Sequence, residues 1–166
     1  KIPVNHALTF TSTILNKPTI TFSQTSLFVI NNGGSLELEN LKIAGVETSD
    51  NSGNSVIVTS KYSMNNNYKL FVDNCNFVDL DVNHSFDVLR VSKNTFADSI
   101  QITNSRFERV TGHIMALDKE TDDDGIYNAE YVILKNNVFK DVEGSVASLY
   151  RGGTDESTFG PHFIMP

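Results

Sequence analysis

Residues 70–77 read Leu70-Phe-Val72-Asp-Asn74-Cys-Asn-Phe77, which is the pattern apolar-x-apolar-x-Asn-x-x-Phe. The same pattern occurs three more times, with Ile in place of Phe in the first copy. The other copies are Leu36-Glu-Leu38-Glu-Asn40-Leu-Lys-Ile43, Ile100-Gln-Ile102-Thr-Asn104-Ser-Arg-Phe107 and Val132-Ile-Leu134-Lys-Asn136-Asn-Val-Phe139. The four copies start at residues 36, 70, 100 and 132, which are 34, 30 and 32 residues apart. A repeat at this spacing is typical of a solenoid.

Each copy predicts a short strand, a corner and a second short strand. Alternating apolar residues have the two-residue period of a strand, and asparagine tolerates the left-handed conformation that a sharp corner needs. If the copies stack, we expect an internal asparagine ladder and an aromatic stack in the core. The ladder would contain Asn40, Asn74, Asn104 and Asn136, and the stack would contain Phe77, Phe107 and Phe139.

A third apolar segment follows each copy, so that every repeat contains three short strands. These segments are 56–58, 88–91, 114–117 and 146–149, and earlier apolar segments at 7–10, 20–22 and 27–30 extend the series. We therefore predict an all-β chain folded as a right-handed parallel β-helix of about five to six coils, with residues 1–166 forming a single domain. The rival is a β-sandwich or antiparallel barrel, but the repeats are similar in sequence and two-residue hairpin signals are scarce.

Composition and charge exclude several classes of protein. The 166 residues include 18 Asn, 16 Ser and 14 Thr, a content that favours strands and turns over helices. The net charge of −7 argues against a nucleic-acid partner, and no apolar run is long enough for a membrane span. A single cysteine, Cys75, excludes an internal disulfide framework. The chain starts without Met, and we expect it to be a piece of a larger, two-domain protein.

Two polar segments carry the candidate chemistry. In the first, Arg151-Gly-Gly153 follows a predicted strand, and the acids Asp155 and Glu156 lie close behind it. These residues form either a corner braced by an ion pair or a site where Arg151 grips a carboxylate. In the second, Asp122, Asp123 and Asp124 form either a solvated loop or a Ca²⁺ site with oxygen ligands. A basic group of Arg106, Arg109, Lys135, Lys140 and Arg151 offsets the negative charge if it shares one face.

The stretch from Leu149 to Pro161, which reads Leu-Tyr-Arg-Gly-Gly-Thr-Asp-Glu-Ser-Thr-Phe-Gly-Pro, resembles polysaccharide lyase family six. That family contains alginate lyases and chondroitinase B. The segments 17–22 and 27–38 also resemble the carboxy-terminal β-helix of its two-domain members. The resemblance implies a parent enzyme that cleaves uronate polysaccharide by β-elimination, with Ca²⁺ bound in its amino-terminal β-helix. It also implies a secreted or periplasmic protein.

The resemblance implies an accessory role for this chain, because the family's paired-glutamate calcium motif is missing from it. The chain would pack on the amino-terminal catalytic β-helix and form one wall of the cleft for alginate or a glycosaminoglycan, with no cofactor of its own. The implied substrate-binding residues are Tyr150, Arg151, Asp155, Glu156 and His162.

Two alternatives to the accessory role stay open. One is a self-contained, Ca²⁺-dependent lyase with Lys119 and Arg151 as catalytic residues and Asp122, Asp123 and Asp124 as metal ligands. The other is a β-helix without enzymatic activity that serves carbohydrate binding or adhesion.

Overall fold

A computed structural model of the chain describes residues 1–13, 15–46, 54–61, 65–82, 85–92, 95–117, 129–149 and 161–166. These residues form strands and turns and contain no helix, so none of them could span a membrane as a helix. The strands are β1 (Ile2–Val4), β2 (Ala7–Thr11), β3 (Thr19–Phe22), β4 (Ser26–Ile30), β5 (Ser35–Glu39), β6 (Lys42–Gly45), β7 (Ser55–Thr59), β8 (Asn65–Asp73), β9 (Asn76–Leu80), β10 (Asp87–Arg90), β11 (Thr95–Thr103), β12 (Arg106–Val110), β13 (Met115–Leu117), β14 (Ala129–Lys135), β15 (Val138–Val142), β16 (Ala147–Leu149) and β17 (His162–Ile164).

The strands build three parallel sheets, and successive strands of the chain enter the sheets in rotation. Sheet A has the order β1-β4-β7-β10-β13-β16, sheet B has β2-β5-β8-β11-β14-β17, and sheet C has β3-β6-β9-β12-β15. Each strand inside a sheet pairs with the strand one coil before it and the strand one coil after it, and the end strands of each sheet have one such partner. This arrangement is a parallel β-helix, which confirms the predicted fold class.

The repeat places its apolar residues in columns along the inside of the stack. Leu36, Leu70, Ile100 and Val132 are in register in sheet B, and all four are buried. The aromatic stack is also confirmed in sheet C. The rings of Phe77 and Phe107 lie 4.9 Å apart at 7°, and those of Phe107 and Phe139 lie 5.3 Å apart at 17°.

The asparagines occupy the corner between sheets B and C, where each follows a sheet B strand directly. All four have the expected left-handed backbone, with φ between 48° and 57°. Asn74 Nδ2 donates to Asn40 Oδ1 at 2.8 Å, and Asn136 Nδ2 donates to Asn104 Oδ1 at 3.2 Å. The predicted asparagine ladder therefore exists as two separate pairs.

The prediction of one continuous, internal ladder is wrong for two reasons. Lys17 Nζ donates to Asn74 Oδ1 at 2.8 Å, and Asn104 Nδ2 donates to Asp73 Oδ1 at 2.7 Å and not to Asn74. The corner also lies at the surface of the stack. Asn40 and Asn74 are half-buried, while Asn104 and Asn136 are exposed.

Replacing Asn104 by alanine should destabilise the chain by about 1–2 kcal/mol, because a Cβ-bearing residue without a polar side chain is strained at φ 51°. The change also removes the hydrogen bonds to Asp73 and Asn136. Asn104→Gly is the matched variant and should recover part of the loss, since glycine adopts this conformation freely. Urea unfolding followed by circular dichroism measures the stability of both variants. Equal losses of stability in Asn104→Ala and Asn104→Gly would contradict the argument from backbone strain.

Candidate functional site

Both polar segments singled out in the sequence enter sheet B at the same corner. Residues 118–128 connect β13 to β14, and residues 150–161 connect β16 to β17. Strands β14 and β17 are neighbours, with Tyr131 paired to His162. The chain therefore leads both segments into adjacent strands at the corner between sheets A and B. The predicted residues Lys119, Asp122, Asp123, Asp124, Tyr150, Arg151, Asp155 and Glu156 themselves lie outside the described residues.

His162 is the predicted substrate-binding residue that the structure describes. It lies exposed in β17, and its ring stacks on Tyr131 with centroids 5.1 Å apart and planes at 19°. Tyr131 keeps 40% of its surface exposed. Because the two rings face each other along the stack, their polar edges are left for solvent. Sequence reasoning missed Tyr131, which is recognisable only once the register of β14 and β17 is known.

The outward positions of sheet B change in character along the stack. The early strands carry acids that are hydrogen-bonded within the sheet, for example Glu37 to Thr9 Oγ1 at 2.9 Å and Glu39 to Thr11 Oγ1 at 3.2 Å. On the later strands, Asp98 pairs with Lys69 at 3.4 Å and Glu130 directly precedes Tyr131, while the outward positions from Gln101, Tyr131 and His162 onwards carry no carboxylate among the described residues. We call these positions of β11, β14 and β17 the sheet B outer surface: Gln101, Thr103, Tyr131, Ile133, Lys135, His162 and Ile164.

Sheet C carries a network of ion pairs on its outer side, centred on Glu108. Arg106 Nε donates to Glu108 Oε2 at 2.9 Å, and Arg109 Nη1 donates to Oε1 at 2.7 Å. Lys140 Nζ donates to Oε1 at 3.2 Å. Hydrogen bonds from Arg106 and Lys140 lower the pKa of Glu108 to about 2. Every cation of this network therefore has a carboxylate partner.

Arg109 belongs to a second column of residues with left-handed backbone, at φ 58°. Its guanidinium donates two hydrogen bonds to Asp79 Oδ1, one of them at 2.7 Å, and these raise the pKa of Arg109. Asp79 and Asp141 occupy the neighbouring coils with the same conformation, at φ 56° and 53°. This column is structural, since its charges are paired with one another and with Lys140.

The expected basic group does not share one face. Arg106, Arg109 and Lys140 lie on sheet C, while Lys135 lies on sheet B. Arg151 falls outside the described residues. The reason is that Lys135 comes before the Asn136 corner of its coil and Lys140 comes after it, so the two lysines belong to different sheets.

Acid should destabilise the chain partly through Glu108. Its folded-state pKa of about 2 lies below the ordinary value of 4.5, so its stabilising effect is complete above pH 4.5 and is lost as the pH falls towards 2. Glu108→Gln should therefore flatten the pH dependence of the free energy of unfolding between these values. Urea titrations at a series of pH values measure this slope. An unchanged slope in the variant would contradict the assignment.

Two further candidate groups have structural roles. Cys75 is buried, burial raises its thiol pKa to about 11, and its Sγ lies 3.3 Å from the carbonyl oxygen of Asp73. Such a thiol is not an activated nucleophile. His113 Nδ1 accepts a hydrogen bond from the backbone N–H of Ser145 at 3.0 Å, which ties one coil to the next.

The described residues contain no group of three or more His, Cys, Asp or Glu side chains that could hold a metal ion. The proposed ligands Asp122, Asp123 and Asp124 lie in segment 118–128, outside this part of the chain. Nothing in the described part therefore supplies a calcium site, and no catalytic step through a metal is assigned to it.

Comparison with known proteins gives one clear set of relatives. The solved structure of the PL6 family alginate lyase AlyGC matches with a TM-score of 0.90 and 40% sequence identity. An arginine-to-alanine mutant of AlyGC gives the same values. The match covers 99% of this chain and 23% of AlyGC, so the chain spans about a quarter of that enzyme's length. No protein-family model and no curated protein sequence matches the chain.

The likeness to AlyGC extends beyond the fold. A shared β-helix alone accounts for similar strands and sheets, whereas identity at 40% of positions over 99% of this chain also indicates a family relationship. The resemblance drawn from residues 149–161 is thereby confirmed. This chain is a PL6 alginate lyase-like domain.

Proposed function

We propose that the chain is the accessory, carboxy-terminal β-helix of a polysaccharide lyase that cleaves uronate polysaccharide by β-elimination. The observation that carries the proposal is the comparison with AlyGC, in which 99% of this chain matches only 23% of an alginate lyase. In this proposal the catalytic groups and any Ca²⁺ belong to the rest of the parent protein. Its polymeric substrate requires the protein to act outside the cytoplasm.

The charged side chains that the structure describes agree with an accessory role. Arg106, Arg109 and Lys140 are held in ion pairs, and the Cys75 thiol is buried with a raised pKa. A catalytic acid or base must reach the substrate and exchange a proton with it. These groups instead stabilise the stack, on which a catalytic β-helix could pack.

The proposal is tested by assaying the purified 166-residue chain on polymannuronate and polyguluronate with Ca²⁺ present. The ultraviolet absorbance of the unsaturated product measures β-elimination. We expect no product from this chain, and product from the same chain fused behind a PL6 catalytic β-helix. Product from the chain alone would overturn the accessory role. Loss of that product in Lys119→Ala and Arg151→Ala would then establish the self-contained lyase.

A further inference from the structure

The sheet B outer surface combines an exposed lysine with a pair of stacked rings. It carries the ammonium group of Lys135 and the imidazole of His162, and its outward positions hold no carboxylate. Three acids lie close to these positions. Asp98, in the middle of β11, pairs with Lys69 at 3.4 Å, and Asp73, two coils before Lys135 in the same column, accepts hydrogen bonds from Thr103 and Asn104. Glu130 directly precedes Tyr131 in β14. In a chain with a net charge of −7, such a surface repels an anionic ligand less than a surface with unpaired carboxylates does.

Lys135 differs from the other exposed lysine of the same coil. Lys140 donates to Glu108 at 3.2 Å and lies 3.8 Å from Asp141. Lys135 is exposed at the end of β14 and makes no ion pair with any described residue. A ligand carboxylate can therefore approach Lys135 without displacing a partner, whereas at Lys140 it must compete with two carboxylates of the protein.

The stacked rings add hydrogen-bonding groups at a regular spacing. Tyr131 and His162 lie one coil apart with ring centroids at 5.1 Å, so the phenol hydroxyl and the imidazole repeat with the strands of the sheet. Gln101 and Ile133 lie in register on β11 and β14, and Ile164 continues their column on β17. The surface thus presents polar edges beside a narrow apolar strip. A pyranose ring has the same combination of hydroxyls around its edge and C–H groups on its faces.

We propose that the sheet B outer surface binds an anionic, carboxylate-bearing polysaccharide along the axis of the stack. Successive sugar residues contact successive coils. Lys135 binds a carboxylate of the polymer, the edges of Tyr131 and His162 and the amide of Gln101 bind hydroxyl groups, and the Ile133 column contacts the C–H face of a sugar. This site rests on the proposed function and assigns it a substrate-contacting surface.

The test measures retardation of the 166-residue chain in native gels that contain polymannuronate, polyguluronate or, as a neutral polymer, hydroxyethyl cellulose. The matched pair of variants is Lys135→Gln and Lys140→Gln, which remove the same charge from neighbouring sheets. We expect the uronate polymers to retard the wild-type chain and the Lys140→Gln variant. Lys135→Gln should weaken binding about fivefold, which is the upper range for one exposed ion pair. Added salt should weaken the wild-type interaction.

Tyr131→Phe separates a binding role of the phenol from a structural one. The variant keeps the ring stacked on His162 and removes only the hydroxyl, so we expect weaker retardation and an unchanged midpoint of thermal unfolding. Equal losses in Lys135→Gln and Lys140→Gln, or no retardation by either uronate polymer, would overturn the site. Equal retardation by the neutral polymer would do the same. These outcomes are distinct from failure of the accessory role, which the assay for unsaturated product detects.

Discussion

Replacing Phe107 by alanine should lower the free energy of unfolding by about 3–5 kcal/mol, the range for removing a buried aromatic side chain. Phe107 is fully buried, and its ring lies between Phe77 at 4.9 Å and Phe139 at 5.3 Å. The substitution removes both ring contacts and leaves a cavity within sheet C. Because each coil of a solenoid packs only on its neighbours, this loss also weakens the link between the coils on either side.

The measurement is equilibrium urea unfolding followed by far-ultraviolet circular dichroism. Phe139→Ala is the matched control, since Phe139 ends the aromatic stack, is only partly buried and contacts one ring of the stack instead of two. Phe139→Ala should lower the free energy of unfolding clearly less than Phe107→Ala does. If the two variants lose equal stability, the central position of Phe107 has no special effect and the stacking argument fails. Phe107→Leu keeps most of the apolar volume and should remain folded if the alanine variant does not.

Replacing Asp87 by alanine should lower the free energy of unfolding by about 2–3 kcal/mol, because it removes a buried carboxylate that accepts hydrogen bonds from Arg90 and from a backbone N–H. Asp87 begins β10 with its side chain 1% exposed. Its Oδ2 accepts from Arg90 Nε at 2.7 Å, and its Oδ1 accepts from the backbone N–H of His113 at 2.7 Å. The alanine variant leaves the backbone N–H of His113 without its acceptor, and it leaves the guanidinium of Arg90, which is 33% exposed, without its carboxylate.

The backbone of the neighbouring coil packs closely against the Asp87 carboxylate at Gly112. A Cβ at Gly112 would overlap Asp87 Oδ1 and lie 2.5 Å from the carbonyl carbon of Phe86, so the glycine is needed for this close approach. Asp141→Ala is the control for charge, because it also removes one carboxylate, but from a side chain that is 63% exposed and 3.8 Å from Lys140. Its effect on unfolding should be within about 0.5 kcal/mol. Similar losses for both variants would show that the Asp87 interactions contribute nothing specific.

The coil pattern was predictable from the sequence because it depends on short local signals. All four copies of the repeat form a sheet B strand, a left-handed asparagine corner and a sheet C strand, and the third apolar segments form sheet A strands. Strand β1 was not predicted, since Ile2-Pro-Val4 is too short to show alternation and includes a proline. It is stabilised by pairing with β4, which is a tertiary contact.

The candidate site was predictable only in part. The sequence singled out His162, but its partner Tyr131 comes from the preceding coil, 31 residues earlier. The left-handed conformation of Arg109 had no local signal, because arginine rarely adopts it. The hydrogen bond from Lys17 to Asn74 joins residues 57 positions apart at the point where the asparagine ladder breaks. Each of these features depends on which residues become neighbours when the coils stack.

The sequence by itself determined the kind of fold, the position of its corners and its relation to PL6 alginate lyases. Alternation, corner asparagines and a conspicuous segment at 149–161 are properties of a few consecutive residues, so they can be read without a structure. Only the tertiary structure decided which charges are paired and which are free. Lys135 and Lys140 are five residues apart and chemically identical. Lys140 lies beside the carboxylate of Glu108 from the preceding coil, whereas Lys135 does not. That difference depends on the register between coils, because the register determines which side chains share a sheet and how far apart they lie.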